Sequence, residues 1–238
     1  MDKGWVDSRQ RARALIMAGK VLVDTRRVDK PGLAVSNDAL ITLKGEDRRF
    51  VSRGGLKLAA ALEAFAISIG ELVCLDAGAS TGGFTDCLLQ HGARRVYAVD
   101  VGYGQLAWQL RQNPRVTAIE RTNIRYLTPD RLPEPVDLAT IDVSFISLRL
   151  VIPAVIPLLK PQGKILALIK PQFEVGKGKV GKGGVVKDPE LHSEICRSLT
   201  QFFKQQGLRC GPMIPSPILG TKGNQEFIIL LSRTDSVL

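Results

Sequence analysis

The chain has 238 residues, 45% of them hydrophobic, enough for one full-sized domain with a real core plus one small module. Its 33 Lys and Arg against 23 Asp and Glu leave a net charge of +10, which points through its field to a polyanionic partner, nucleic acid or an anionic membrane. Four cysteines (Cys74, Cys87, Cys196, Cys210) form no C-x-x-C pair and only His91 and His192 accompany them, which argues against a disulfide scaffold and a structural zinc; reduced thiols of a cytoplasmic protein are expected.

In chain order, Ser8 can cap a helix through Gly19, with Ala12, Leu15 and Ile16 on one face and Arg9, Arg13 and Lys20 around the other. Gly19 reads as its C-terminal stop. Short strands follow at Val21–Val23 and around Val28, joined by a turn at Asp24-Thr25, with a third in the run Ala39–Leu43. The polar stretch Lys44–Arg49 reads as a linker. Residues 1–53 hold 12 Lys and Arg against 7 Asp and Glu, half of the whole surplus, so this basic segment is expected to dock the partner.

From Val51 strands and helices alternate. The pattern predicts a helix Leu56–Phe65, a strand Leu72–Asp76, a helix Thr85–His91, and strands Arg95–Asp100, Val116–Glu120 and Leu138–Asp142. A helix Leu148–Leu159, a strand Lys164–Ile169, a helix Pro189–Gln206 and strands near Arg209–Ile214 and Phe227–Ser232 complete it. Short apolar strands separated by helices mean an α/β fold with a mostly parallel sheet buried on both faces and a terminal antiparallel hairpin. The longest apolar run, Leu150–Leu159, is broken by Pro153 and Pro157 and bounded by Arg149 and Lys160. A spanning helix needs about 20 apolar residues, so no membrane partner is expected.

The glycine-rich segment from Asp76 to Thr85 joins the first of these strands to a helix. Glycines let the backbone approach a ligand closely, and exposed helix amides favour polar or anionic groups. Asp100 ends the next strand, where a carboxylate can accept both ribose hydroxyls of a nucleoside cofactor. Gly78, Gly82 and Gly83 do not make G-x-G-x-x-G, and Asp76 suits the charged amino-acid portion of S-adenosylmethionine, so a methyl donor is favoured over a dinucleotide. The stretch from Gly176 to Gly183 nearly matches a P-loop, but Gly183 stands where a Ser or Thr would hold magnesium; a basic loop near the substrate is the better reading.

Such a donor is already an activated electrophile, so the protein must position the acceptor and, where necessary, deprotonate it. A ribose hydroxyl is a very weak acid and needs a base; a lysine partly desolvated near a second cation gives up its proton more readily. On this logic Lys170 is the base, Lys57 and Glu226 tune and orient it, and Asp142 aligns donor and hydroxyl. Ion-paired surface residues are the plain alternative for each taken singly. Asp142-Val-Ser-Phe lacks the prolines of the exocyclic-amine transfer motif, and no cysteine stands where a pyrimidine C5 nucleophile would.

Six motifs occur in order: Ser52-Arg-Gly-Gly-Leu-Lys-Leu, Asp76-Ala-Gly-Ala-Ser-Thr-Gly-Gly-Phe-Thr-Asp, Tyr97-Ala-Val-Asp-Val-Gly-Tyr-Gly-Gln-Leu, Glu120-Arg-Thr-Asn, Asp142-Val-Ser-Phe-Ile-Ser and Ile169-Lys-Pro-Gln-Phe-Glu. Together they resemble the TlyA (hemolysin-A-type) rRNA methyltransferases, of the FtsJ-like ribose methyltransferase group. The resemblance implies a Rossmann-like S-adenosylmethionine-dependent methyltransferase domain acting on a cytidine 2′-hydroxyl of ribosomal RNA, free or in ribosomal subunits. The terminal hairpin suits that fold. The resemblance carries the Lys-Asp-Lys-Glu tetrad onto Lys57, Asp142, Lys170 and Glu226. It places cofactor contacts at Asp76, Gly78, Ala79, Ser80, Thr81, Gly82, Gly83, Phe84 and Thr85, at Asp100 and Val101 by the ribose, and at Asn123 and Ile124 by the adenine.

The stretch from Ser8 to Val23 is similar to a small α+β RNA-binding module of the S-four type, with Arg9, Arg13 and Lys20 as RNA contacts. Domains are expected at 1–46 for this module and 53–238 for the methyltransferase, with a linker at 47–52. The module usually opens with a further helix, but only seven residues precede Ser8, so either the true start lies upstream or the module lacks that helix. Asp24-Thr25 is also a poorer hairpin turn than Asn-Gly. Two rivals remain. A membrane-active hemolysin needs a spanning or lipid-facing segment, and none is seen. A non-catalytic RNA-binding protein would be favoured by an altered tetrad, and all four positions are intact.

Overall fold

The computed structural model describes residues 9–24, 26–36, 39, 41–43, 49–176, 180–181 and 183–234. The expected Ser8 cap, Thr25 of the first hairpin turn, nearly all of the Lys44–Arg49 linker and half of the second glycine-rich stretch lie outside these residues. The chain divides into two compact units, residues 1–48 and 49–238.

In the first unit, helix α1 (Arg9–Met17) is followed by strands β1 (Val21–Val23), β2 (Arg26–Val28) and β3 (Ile41–Leu43). They form an antiparallel sheet ordered β2-β1-β3. The amide of Gly19 bonds the Ile16 carbonyl and that of Lys20 bonds the Leu15 carbonyl, closing the helix where the glycine predicts a stop. Leu15 and Val21 are buried, whereas Arg9, Arg13 and Lys20 face solvent. The expected two-faced helix therefore forms, although β3 is shorter than the run Ala39–Leu43 suggests.

The second unit holds α2 (Gly54–Ala64), β4 (Val73–Ala77), α3 (Gly83–Gln90), β5 (Arg95–Val99), α4 (Trp108–Arg111), β6 (Val116–Ile119) and β7 (Val136–Ile141). It continues with α5 (Leu148–Val155), β8 (Leu159–Ile169), α6 (Pro171–Glu174), α7 (Pro189–Gln205), β9 (Leu208–Pro215) and β10 (Phe227–Arg233). The seven strands are ordered β6-β5-β4-β7-β8-β10-β9. The first five are parallel, and β10 enters antiparallel between β8 and β9.

Alternation along each strand splits the core in two. Val73, Leu75 and Ala77 join Val151, Ile152, Leu199 and Phe203 on the α5/α7 face. Cys74, Val96 and Leu138 join Leu58, Leu62 and Leu88 on the α2/α3 face. This is the two-sided burial that continuous apolar strands require. The sheet also sets the site. The C-terminal ends of β4, β5, β7 and β8 lie on one edge, where ligands bind in open α/β sheets. Because β10 runs the other way, with Phe227 opposite Ile169, Glu226 and Lys170 arrive at that same edge.

Three differences from the sequence reading have physical causes. Helix α5 ends at Val155, and Pro157 sits in a separate 3-10 turn, Ile156–Leu158, because proline supplies no amide to continue the ladder. Strand β8 starts five residues early: Leu159 is buried and pairs with Val136, then a register shift passes over Lys160–Gly163 before Lys164 pairs with Leu138. Helices α4 and α6 have four residues each, too few for a periodic signal.

Candidate active site

The turn between β4 and α3 is held by backbone hydrogen bonds, to the end of β5 and within itself. The amides of Gly78 and Ala79 both reach the Val99 carbonyl, at 2.9 and 3.1 Å, and Gly82 donates to Ala79 at 2.7 Å. Gly78 has φ +86, and a Cβ there would stand 2.6 Å from the Asp142 carbonyl oxygen. Asp142 is itself fixed to the strand below, its amide bonding the Ala77 carbonyl at 3.0 Å. Only glycine permits the donor turn and the end of β7 to approach this closely.

A cavity of about 540 Å³ opens over this turn, within the range of roughly 300–1,000 Å³ usual for small-molecule sites. Gly78, Ala79, Ser80, Thr81, Gly83 and Phe84 line one wall; Lys57, Asp142 and Lys170 line another. Glu226 lies just behind that second wall, its carboxylate against Gly220.

The four charged residues are joined as two pairs. Lys57 donates to Glu226 Oε2 at 2.6 Å, and both side chains are nearly sealed from solvent. Lys170 Nζ lies 2.6 Å from Asp142 Oδ1 and donates to Ser144 Oγ at 3.0 Å. The buried Oδ1 has no aligned hydrogen bond, so it meets Lys170 as a charge contact off the donor direction.

Asp76 and Asp100 occupy different places. Asp76 is fully buried beneath the turn, accepting from Thr85 Oγ1 at 2.7 Å and lying 3.4 Å from the Thr140 hydroxyl. Burial pushes its carboxyl up to about 7, against the lowering effect of the Thr85 hydrogen bond. It braces the turn from below and is not among the described residues lining the cavity, where a contact to the donor's amino-acid portion is expected. Asp100 holds the turn from the side, its Oδ2 accepting from Ser80 N at 2.8 Å and its Oδ1 from Gly102 N at 2.7 Å. A small cleft beside it is bounded by Ala79, Ser80, Gln105, Leu106 and Glu120.

Of the remaining expected cofactor contacts, Gly82 supplies the left-handed entry to α3, and Val101 is exposed next to Asp100. Asn123 caps a 3-10 turn by accepting from Arg125 N at 3.1 Å, and Ile124 is buried in the α5-side core. Neither lines the cavity or the cleft.

Sequence reasoning missed Ser144, which holds Lys170, although it stands inside the Asp142-Val-Ser-Phe motif. It also missed Glu120, which accepts from Gly104 N at 2.8 Å and pairs with Arg111, an interaction that holds its carboxyl below the usual range. Arg53 and the loop residues Ile218, Leu219, Gly220 and Lys222 complete the cavity rim. That loop carries no periodicity or motif and could be found only through the fold.

Residues 50–233 match the model of the FtsJ-like methyltransferase family, and residues 2–41 match that of the S4 domain. The chain is 49% identical over 238 residues to 16S/23S rRNA (cytidine-2′-O)-methyltransferase TlyA of Mycobacterium tuberculosis, covering 99% of this chain and 89% of that protein. It is 38% identical over 227 residues to Hemolysin A of Brachyspira hyodysenteriae, covering 95% and 94%. A solved structure from Streptococcus thermophilus that carries a hemolysin name is 44% identical, with a TM-score of 0.81 over 99% of this chain and 86% of that one.

Proposed function

Because the chain belongs to the FtsJ-like methyltransferase family, whose methyl donor is S-adenosylmethionine, we propose that it methylates a ribose 2′-hydroxyl of a cytidine in ribosomal RNA. The observation that carries this reading is the meeting of two lysine–carboxylate pairs, Lys57–Glu226 and Lys170–Asp142, at the mouth of the donor turn.

The turn suits the donor. Its backbone from Gly78 to Gly83 faces an open cavity of sufficient volume, and Gly78 leaves no side chain in the way. Asp100 and the cleft beside it, with Glu120, would hold the ribose, while Asp76 keeps the turn in shape. When bound, S-adenosylmethionine supplies a methyl group on a sulfonium, an electrophile that needs alignment rather than activation.

The chain's residues then supply the base and its support. Lys170 in its free-amine form accepts the hydroxyl proton as the oxygen–methyl bond forms and the sulfur–methyl bond breaks. Ser144 orients the amine, and Asp142 stabilises the ammonium that results. Lys57, held by Glu226, presents a fixed cation that favours the developing oxyanion over the neutral hydroxyl. The S4 module, with Arg9, Arg13 and Lys20 exposed, supplies RNA affinity through phosphate contacts.

The TlyA of Mycobacterium tuberculosis is named for cytidine 2′-O-methylation of 16S and 23S rRNA, and the same acceptor is proposed for this chain. Incubation with labelled donor and either naked rRNA or isolated ribosomal subunits tests it. A 2′-O-methyl group protects the following phosphodiester from alkaline cleavage, so label is expected in alkali-resistant dinucleotides. Label released wholly as mononucleotides would rule out the ribose as acceptor.

A further inference from the structure

We propose that Lys222 is a ligand for an RNA backbone phosphate beside the acceptor ribose, an inference that rests on the ribose-transfer reading above. Among the described residues, four cations line the cavity: Arg53, Lys57, Lys170 and Lys222. Lys57 and Lys170 are matched by Glu226 and Asp142. Arg53 donates from Nη2 to the Leu219 carbonyl at 2.9 Å, which fixes its position without neutralising it. Lys222 has no carboxylate partner among the described residues, so the rim keeps a positive surplus.

The methyl donor does not account for that surplus. It carries an ammonium and a sulfonium against one carboxylate and is itself net positive. The acceptor strand does account for it, since RNA places a phosphodiester on the carbon next to the one bearing the 2′-hydroxyl. A group that grips this phosphate fixes the hydroxyl relative to Lys170.

The segment around Lys222 is built for position. Gly220 N donates to Asn224 O at 2.8 Å and Gly223 N to Gly220 O at 3.1 Å, closing a tight turn. Asn224, 2% exposed, accepts from Val186 N at 3.0 Å and donates to the Gly184 carbonyl at 3.1 Å. The turn is thus tied to the end of the glycine-rich basic stretch. Lys222 sits in it with φ 60 and ψ 14, a left-handed conformation that glycine adopts freely and a lysine adopts at a cost. For the fold alone glycine would serve better at this position. A lysine with its charge unmatched on a cavity wall is explained by a ligand of opposite charge.

The strain makes the test clean. Lys222→Gly is expected to melt at the same temperature as the wild type or higher and to bind the donor as tightly. Its KM for rRNA is expected to rise several-fold, and the log–log dependence of RNA affinity on salt to become shallower by about one, the signature of one lost phosphate contact. Lys222→Arg is expected to keep the wild-type slope, and Lys222→Gln, which retains the Cβ, to behave like the glycine variant. A wild-type KM and salt slope in both neutral variants would overturn the proposal. The ribose reading fails separately, if the wild-type product carries its methyl on a base.

Discussion

Lys57 Nζ and Glu226 Oε2 stand 2.6 Å apart although 169 residues separate them in the chain. The contact joins α2 to the start of β10, which is inserted antiparallel beside β8. With side chains only 11% and 3% exposed, the two charges are largely withdrawn from water. Glu226→Ala therefore leaves a buried ammonium unpaired, and removing one partner of such a pair costs about 3–5 kcal/mol. Chemical denaturation is expected to show that loss, with the double variant Lys57→Met/Glu226→Leu recovering most of it. A single variant as stable as the wild type would contradict the burial.

Removal of the proposed base separates chemistry from binding. Lys170→Ala is expected to lower single-turnover methyl transfer by about 10²–10⁴-fold, the usual contribution of a positioned base, while calorimetry shows donor binding nearly intact. Lys170→Arg is not expected to rescue transfer, since a guanidinium does not give up its proton. Transfer by either variant at the wild-type rate would end the assignment of Lys170.

Asp76 predicts a pH dependence of stability. Its carboxyl is raised from 3.8 to about 7 by burial, so the folded state holds its proton more tightly than the unfolded chain. Ionisation is thus resisted by the fold, and this site makes stability fall as pH rises from about 4 to about 7, with the penalty fully present above that. Asp76→Asn lacks this dependence. Without donor present, the stability of Asp76→Asn relative to wild type is expected to increase across that window and level off above it, as read by urea midpoints at each pH. A flat difference from pH 4 to 8 would show that the carboxyl is not desolvated.

Gly78 sets the distance between the donor turn and the acceptor residues. Gly78→Ala would force a Cβ toward the Asp142 carbonyl at a φ of +86, so the turn and Asp142 must separate. Donor affinity and transfer are expected to fall together, with stability reduced by about 1–3 kcal/mol. A variant with unaltered donor binding in equilibrium titration would show that this close approach is not required.

Much of the site was legible because its residues end strands. Asp100, Asp142 and Lys170 each follow a short apolar run, and a run of that kind in an alternating pattern delivers its next residue to the ligand edge. Lys57 and Glu226 could be named from motifs, but their pairing depends on the antiparallel insertion of β10, which is a property of strand order that no local window contains. Asp76 shows the opposite limit. Its place near the end of β4 suggested a donor contact, and the side-chain alternation of the strand turns it to the α2/α3 face, where Thr85 of α3 and Thr140 of β7 lie against it. The early start of β8 was hidden by Pro161 and Gly163, residues that read as a loop but here occupy a register shift. Lys222 stands in a turn whose shape is set by Gly220 and Asn224 and whose meaning appears only beside the cavity.

The central claim is that Lys57, Asp142, Lys170 and Glu226 direct the methyl group to a ribose oxygen. The most direct measurement is nucleoside analysis by mass spectrometry of rRNA methylated by the wild-type protein, with Lys170→Ala run beside it. The wild type is expected to yield 2′-O-methylcytidine and the variant none above background. A methyl group on the base, or ribose methylation that persists in Lys170→Ala, would contradict it.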